Sequence, residues 1–285
     1  VSAAALIGTL QAAYTNFHYL RDVWRRTTEK DALLGLGMTG IGSGKDQKLD
    51  LEEAAKLAVD TNKYYANELG VNPAARVTTV KPSGTTSCVL GTSSGVHAWH
   101  NDYYIRRIRV GKNEAIYTYL LLNHPELVED DFFKPETQAV ISIPQKAEDG
   151  GILRHETSIE LLDRVKDIYQ RWIANGHVAG NNTHNVSCTV SVKEDEWDLV
   201  GRWMWDNKEF YNGLSVLPYF AADSTYTQLP FEDIDETQFT ELVSTLKEVD
   251  VSQVVELIDN TDLTGELACA GGACEVTEST AIAAG

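Results

Sequence analysis

The chain has 285 residues, 43% of them apolar, and its 42 Asp and Glu against 24 Lys and Arg give a formal net charge of −18. That length carries one large domain or two small ones and can bury a sizeable core. The acidic balance speaks against a nucleic-acid partner, and with no apolar run of about 18 residues a membrane-spanning helix is not expected.

Residues 1–12 are small and apolar without a basic start, so they read as the opening of a helix and not as a signal peptide. The first residue is Val, which implies processing or a boundary upstream. Helical spacing of Leu6, Leu10, Tyr14, Phe17, Leu20, Val23 and Trp24 predicts a helix over 3–26. Residues 33–41 predict a short strand and its turn. Asp50 and Glu53 announce a helix over 51–69, and Gly70 stops it. The β-branched stretch 76–80 predicts a strand, followed by a Pro-Ser-Gly turn and a helix-compatible run over 85–90. A helix is expected over 113–123 and a strand over 139–143. Thr157 and Glu160 cap a strong amphipathic helix that Asn175-Gly176 ends. Strands over 186–192 and 213–217 flank a helix over 193–206. Alternation of strand and helix predicts an α/β fold with a largely parallel sheet or barrel of about five strands.

After Pro230 the composition changes. From Phe231 to Gly285 there are thirteen Asp or Glu and one Lys, net −12 of the total −18. Short helices are expected over 237–247 and 251–259. The last stretch, 263–285, holds little that could bury a core and reads as a flexible terminus. The expected organisation is therefore 1–230, a short helical acidic segment 231–262, and the tail 263–285.

Lys81-Pro82-Ser83-Gly84-Thr85-Thr86-Ser87 follows a strand and opens a helix. Hydroxyls, a glycine and helix N-terminal amides together make an anion site; the plainer reading is a strand–turn–helix with hydroxyl caps. Gly35-Leu36-Gly37-Met38-Thr39-Gly40 has dinucleotide-site spacing, but loop follows it where a helix is required. Gly44-Lys45 fails as a Walker motif, because Thr39 and Asp46 stand at key positions. His97 and His100 have the spacing of metal ligands without a further ligand nearby, so no metal is expected and a structural or substrate-loop role is favoured. Arg106, Arg107 and Arg109 either flank a charged ligand or lie on a surface strand. Without a secretory signal, the four cysteines are expected reduced, in a cytoplasmic protein. Cys269 and Cys274 form C-x4-C among small residues, which suits a reversible disulfide; the plain reading is an inert tail. Cys88 and Cys188 read as buried core thiols.

Three longer motifs resemble the adenosylcobalamin-dependent (class II) ribonucleotide reductases. They are Val80-Lys81-Pro82-Ser83-Gly84-Thr85-Thr86-Ser87, Gly91-Thr92-Ser93-Ser94-Gly95-Val96-His97 and Tyr103-Tyr104-Ile105-Arg106-Arg107. The likeness extends through Ile7-Gly8-Thr9-Leu10-Gln11-Ala12, Asn181-Asn182-Thr183-His184-Asn185-Val186-Ser187-Cys188 and Leu214-Ser215-Val216-Leu217-Pro218-Tyr219. The resemblance implies the second half, about five strands, of a ten-stranded α/β barrel with a flexible acidic C-terminal tail. It implies that Pro82, Ser83, Gly84, Thr85 and Thr86 hold substrate phosphates, and that Cys269 and Cys274 re-reduce an active-site disulfide. Adenosylcobalamin is the implied cofactor, with Gly213–Tyr219 as its expected neighbour. A ribonucleotide is the implied substrate and a thioredoxin-like protein the implied reductant.

One departure is plain. The family's radical cysteine stands in an Asn-Pro-Cys-Gly-Glu loop, and here only Asn72-Pro73-Ala74 comes near it. The chain is therefore expected to be the C-terminal part of a split enzyme, active only with a partner chain that carries the N-terminal half. Alone it is expected to expose an apolar sheet edge. Two other readings remain open: a non-catalytic half-barrel with structural or regulatory duties, and a thiol-disulfide carrier docked on a reductase.

Overall fold

The computed structural model describes residues 1–219, 228–258, 269–270 and 273–274. Among the described residues the helices, in chain order, are α1 (Ser2–Ala12), α2 (Asp22–Asp31), α3 (Leu51–Leu69), α4 (Thr86–Val89), α5 (Ala115–Asn123), α6 (Ser158–Ile168), α7 (Trp197–Asp206) and α8 (Glu236–Thr245). The strands are β1 (Tyr103–Gly111), β2 (Val128–Asp130), β3 (Gln138–Lys146), β4 (Thr189–Val192), β5 (Ser215–Pro218), β6 (Phe231–Asp233), β7 (Cys269–Ala270) and β8 (Ala273–Cys274). None of the helices is long and apolar enough to cross a membrane. The chain divides into two compact units, Val1–Trp99 with Gly150–Tyr219, and His100–Asp149 with Phe220–Gly285.

The first unit is built on parallel segments. Leu36 bridges Thr78, Val80 bridges Val186, and β4 pairs in parallel with β5. The stretches around 36, 76–80, 186–192 and 215–218 thus lie side by side. Val77, Val80, Val186, Val190 and Val192 are buried, as a parallel sheet covered by helices requires. Leu162, Val165 and Ile168 of α6 and Leu51, Ala55 and Ala58 of α3 complete this core. Each fully buried aliphatic side chain stabilises by about 1.5–3 kcal/mol. The outer strand β5 is largely exposed, Leu217 at 41%.

Local signals set the helix ends. Asp50 accepts the Glu53 N–H at 2.9 Å, and Gly70 ends α3 in the left-handed conformation. Thr157 and Glu160 form the expected capping box of α6. The helix continues as a π turn over Tyr169–Ile173, then a 3-10 turn over Ala174–Gly176. The helix expected over 3–26 is two helices, α1 and α2, with non-helical chain between them. Thr15 and Asn16 at the break are poor helix formers, and Thr15 spends its hydroxyl on Glu29 at 3.1 Å.

The second unit corrects the expectation of a largely parallel sheet. Its four strands run antiparallel in the order β2-β3-β1-β6. The predicted strand over 139–143 belongs here, as β3. Val110, Leu120, Leu127, Ala139 and Ile141 form a small separate core. Among the described residues the acidic segment is not helical throughout: Phe231–Asp233 is a strand beside β1, α8 follows, and 251–258 holds a 3-10 turn at Val251–Gln253. Of the expected tail 263–285, only Cys269–Ala270 and Ala273–Cys274 lie among the described residues, as a two-stranded antiparallel ladder. The rest of that expectation falls outside them.

Candidate functional site

Residues 76–80, flanked by parallel neighbours on both sides, deliver the chain into Lys81-Pro82-Ser83-Gly84-Thr85. Pro82 and Ser83 are half-buried, while Gly84, Thr85 and Thr86 are exposed. Ser83 is occupied in shaping the turn. Its N–H donates to Ser94 Oγ at 2.8 Å, and Ser94 Oγ donates back to the Ser83 carbonyl at 3.2 Å. Ser83 Oγ accepts the Ser87 N–H at 3.0 Å, and the Ser87 hydroxyl donates to the Ser83 carbonyl. The hydroxyls of Thr85 and Thr86 make no hydrogen bond among the described residues. The expected residues therefore divide into a pin, Ser83, and an exposed rim, Gly84-Thr85-Thr86. Helix α4 is four residues long, so its dipole adds little. The donors this loop presents outward are the hydroxyls of the exposed rim.

A second loop, 92–97, backs the first. Gly95 has φ +56°, and a Cβ there would stand 2.8 Å from the Lys81 carbonyl oxygen. The backbones touch because glycine is present. Thr39 Oγ1 accepts the Gly95 N–H at 3.0 Å and donates to the Ser93 carbonyl at 2.9 Å. The Gly35–Gly40 motif thus serves as loop support, and a 3-10 turn, Ile41–Ser43, follows where a dinucleotide site needs a helix. Arg164 Nε donates to the Val96 carbonyl at 3.0 Å, while its two terminal nitrogens clamp Glu156 at 2.7 Å each. His97 is buried; its Nε2 accepts the Thr189 N–H at 3.0 Å and its Nδ1 lies 3.2 Å from the Ser94 carbonyl. Both ring nitrogens are used, which leaves neither for a metal. Burial holds this imidazole below its ordinary pKa.

His100 and the arginines belong to the second unit. His100 Nε2 is 3.0 Å from Asp233, and its ring stacks on Phe231 at 5.0 Å. Arg107 pairs with Glu129 at 3.3 Å and Glu232 at 2.5 Å, and Arg109 with the buried Asp131 at 2.8 Å. Burial would raise the Asp131 carboxyl, but the Lys134 and Phe133 N–H groups and Arg109 outweigh it and hold it below its ordinary value. The arginines belong to a surface strand with its own counter-ions. Among the described residues no group of three or more His, Cys, Asp or Glu is arranged to hold a metal.

The cysteines separate into types. Cys188 is buried, and burial pushes its thiol up to about 12. Cys88 is not the core thiol expected: it lies exposed on α4, and its Sγ donates to the Gly84 carbonyl at 2.7 Å. The four-residue helix is too short to bury that face. In a Cys269→Ser/Cys274→Ser background, iodoacetamide at pH 8 should label Cys88 and spare Cys188 until the chain unfolds; mass spectrometry of the peptides reads this directly. Cys269 and Cys274 are Cα partners in the terminal ladder. The sequence reading gave Ser94 no role of its own, and for His97 it favoured a structural or substrate-loop role without naming its partners. Its available signal was the Ser-Ser-Gly-Val-His string, which gives no hint of the distant residues it contacts.

No family model matches the chain. Sequence and fold nevertheless agree on one class: the chain is related to the adenosylcobalamin-dependent, class II ribonucleotide reductases. It is 30% identical over 237 residues to a probable adenosylcobalamin-dependent ribonucleoside-triphosphate reductase of Dictyostelium discoideum, covering 78% of this chain and 29% of that protein. It is 25% identical to the adenosylcobalamin-dependent ribonucleoside-triphosphate reductase of Lactobacillus acidophilus over 91% of this chain and 38% of the relative. The Lactobacillus helveticus enzyme of that name is 26% identical over 94% of this chain and 40% of its own length. A crystal structure of a B-12 dependent (class II) ribonucleotide reductase superposes with TM-score 0.67 at 22% identity, over 85% of this chain and 37% of that one. The chain therefore spans between 29% and 40% of the length of these relatives.

Proposed function

We propose that this chain is the C-terminal part of a class II ribonucleotide reductase and supplies two pieces of its machinery, a substrate phosphate site and a terminal dithiol. The phosphate loop carries the proposal: a rim of Gly84, Thr85 and Thr86, held open by Ser83, Ser87 and Ser94 at the end of a parallel segment. The sequence has no Asn-Pro-Cys-Gly-Glu loop. The radical cysteine and the active-site pair are therefore assigned to the N-terminal half of the enzyme, outside these 285 residues, and the parallel segments of this chain to the second half of the barrel.

The chemistry requires both parts. Replacing the ribose 2′-hydroxyl by hydrogen releases water and takes two electrons and two protons, which two thiols deliver as they close to a disulfide. Adenosylcobalamin, bound by the assembled enzyme, supplies the radical that starts the reaction. β5, the expected neighbour of that cofactor, lies largely exposed. No step is assigned to this chain on the cofactor's behalf. Cys269 and Cys274 would reduce the active-site disulfide by exchange, become a disulfide themselves, and be reduced in turn by a thioredoxin-like protein. Residues opposed in an antiparallel ladder lie about 4.5–5.5 Å apart at Cα, within disulfide reach.

The assay combines this chain with the N-terminal half, adenosylcobalamin, a ribonucleotide and a reductant, and measures deoxynucleotide formation. Cys269→Ser/Cys274→Ser should keep turnover with dithiothreitol and lose at least about 90% of it with thioredoxin. Loss with both reductants would remove the shuttle role. Turnover by this chain alone would remove the division of labour.

A further inference from the structure

We propose that His97, buried behind the site, is a positioning residue that sets the shape of the phosphate loop through Ser94. This rests on the reading of 83–86 as a phosphate site, but its mechanical part stands without it. The hydrogen bonds form one continuous path. The Thr189 N–H, at the start of β4, donates to His97 Nε2 at 3.0 Å. His97 Nδ1, 3.2 Å from the Ser94 carbonyl, donates to it. The Ser94 hydroxyl then both accepts from the Ser83 N–H and donates to the Ser83 carbonyl, at 2.8 and 3.2 Å. Ser83 Oγ finally receives the Ser87 N–H at 3.0 Å, which closes the turn.

The partners fix the protonation state. An N–H group can only donate, so Nε2 is bare; a carbonyl can only accept, so Nδ1 carries the proton. The ring is 3% exposed and neutral in that single tautomer. Around it, Arg164 and the Ser94 and Thr189 backbone are the groups that bear on its titration. Arg164, locked on Glu156, adds a second hold through the Val96 carbonyl. The ring therefore transmits the position of a core strand to a surface loop, and it does so only while Nε2 stays unprotonated.

The test uses the full chain. Ring nitrogen shifts in ¹⁵N NMR should show the Nδ1–H tautomer from pH 6 to 8. In His97→Leu the Ser83 and Ser87 amides should exchange with solvent about tenfold faster, the loss of roughly one hydrogen bond, while amides in α3 are unchanged. His97→Gln offers a donor and an acceptor and should restore exchange to within about threefold. Inorganic pyrophosphate, titrated calorimetrically, should bind about tenfold more weakly to His97→Leu than to the wild type. Ser94→Ala, which cuts the path at one hydroxyl, serves if His97→Leu does not fold, and should reproduce both effects. An Nε2–H tautomer, or Ser83 and Ser87 exchange unchanged in both His97→Leu and Ser94→Ala, overturns the inference. Faster exchange with no pyrophosphate binding by the wild type upholds the positioning and removes the phosphate reading.

Discussion

Gly84→Ala should leave the fold intact and weaken phosphate binding by about tenfold or more, roughly 1.4 kcal/mol. A Cβ at Gly84 meets no atom within 4 Å, and its backbone is not left-handed, so alanine fits. Lower unfolded-state entropy would even add about 0.4–1 kcal/mol of stability. The new methyl stands on the exposed rim, beside the Thr85 and Thr86 hydroxyls, where a phosphate oxygen has to approach. Gly95→Ala is the opposite case. There φ is +56° and the Cβ would press on the Lys81 carbonyl oxygen at 2.8 Å. The left-handed backbone alone costs about 1–2 kcal/mol for a non-glycine residue, and the contact adds to it. Calorimetric melting and pyrophosphate titration of the two variants separate the effects. Gly84→Ala should lose binding at an equal or slightly higher Tm, and Gly95→Ala should lose both. Wild-type affinity in Gly84→Ala would show that phosphate does not approach this rim.

Local chemistry was legible in the sequence. Thr157 with Glu160, and Asp50 with Gly70, mark helix ends because their partners lie within a turn. The turn over 81–87 was legible for the same reason, as hydroxyls and a glycine after a β-branched run. What could not be read depends on distant partners. The stretch 139–143 reads as a strand, but nothing local says that Ile141 will oppose Ile108 in an antiparallel sheet. Arg106, Arg107 and Arg109 read equally as ligand-flanking or as a surface strand, and for Arg107 and Arg109 the carboxylates of Glu129 and Asp131, from β2 and the turn after it, decide for the strand. Ser83 reads as part of the anion loop, but nothing local says that the Ser94 hydroxyl will hold its N–H and carbonyl. In each case the missing term was the long-range pairing that decides which polar groups are spent on structure and which are left for chemistry.

Glu196 should make the first unit sensitive to acid. The residue is 7% exposed, is the N-cap of α7 and lies against Ser158, the first residue of α6. Its Oε2 accepts the Ser158 hydroxyl at 2.7 Å and the Lys193 N–H at 3.1 Å, and its Oε1 accepts the Ser158 N–H at 3.3 Å. Burial works to raise its pKa, but these donors and the Lys193 charge outweigh it and hold the carboxyl below its ordinary 4.5. A depressed carboxyl contributes stability that is full above the unfolded-state value and lost as pH falls through the folded value. The loss should therefore begin below about pH 4.5 and not between pH 6 and 8. Glu196→Gln turns an amide donor towards donors already present and should cost about 1–3 kcal/mol at pH 7, a fall in Tm of about 2–4 °C per kcal/mol. The cost should shrink as pH approaches 3, because the wild-type carboxyl then takes up a proton as well. Urea unfolding of both proteins from pH 3 to 7 measures it. Parallel stability curves over that range would mean that the Glu196 carboxylate is not what holds the start of α6.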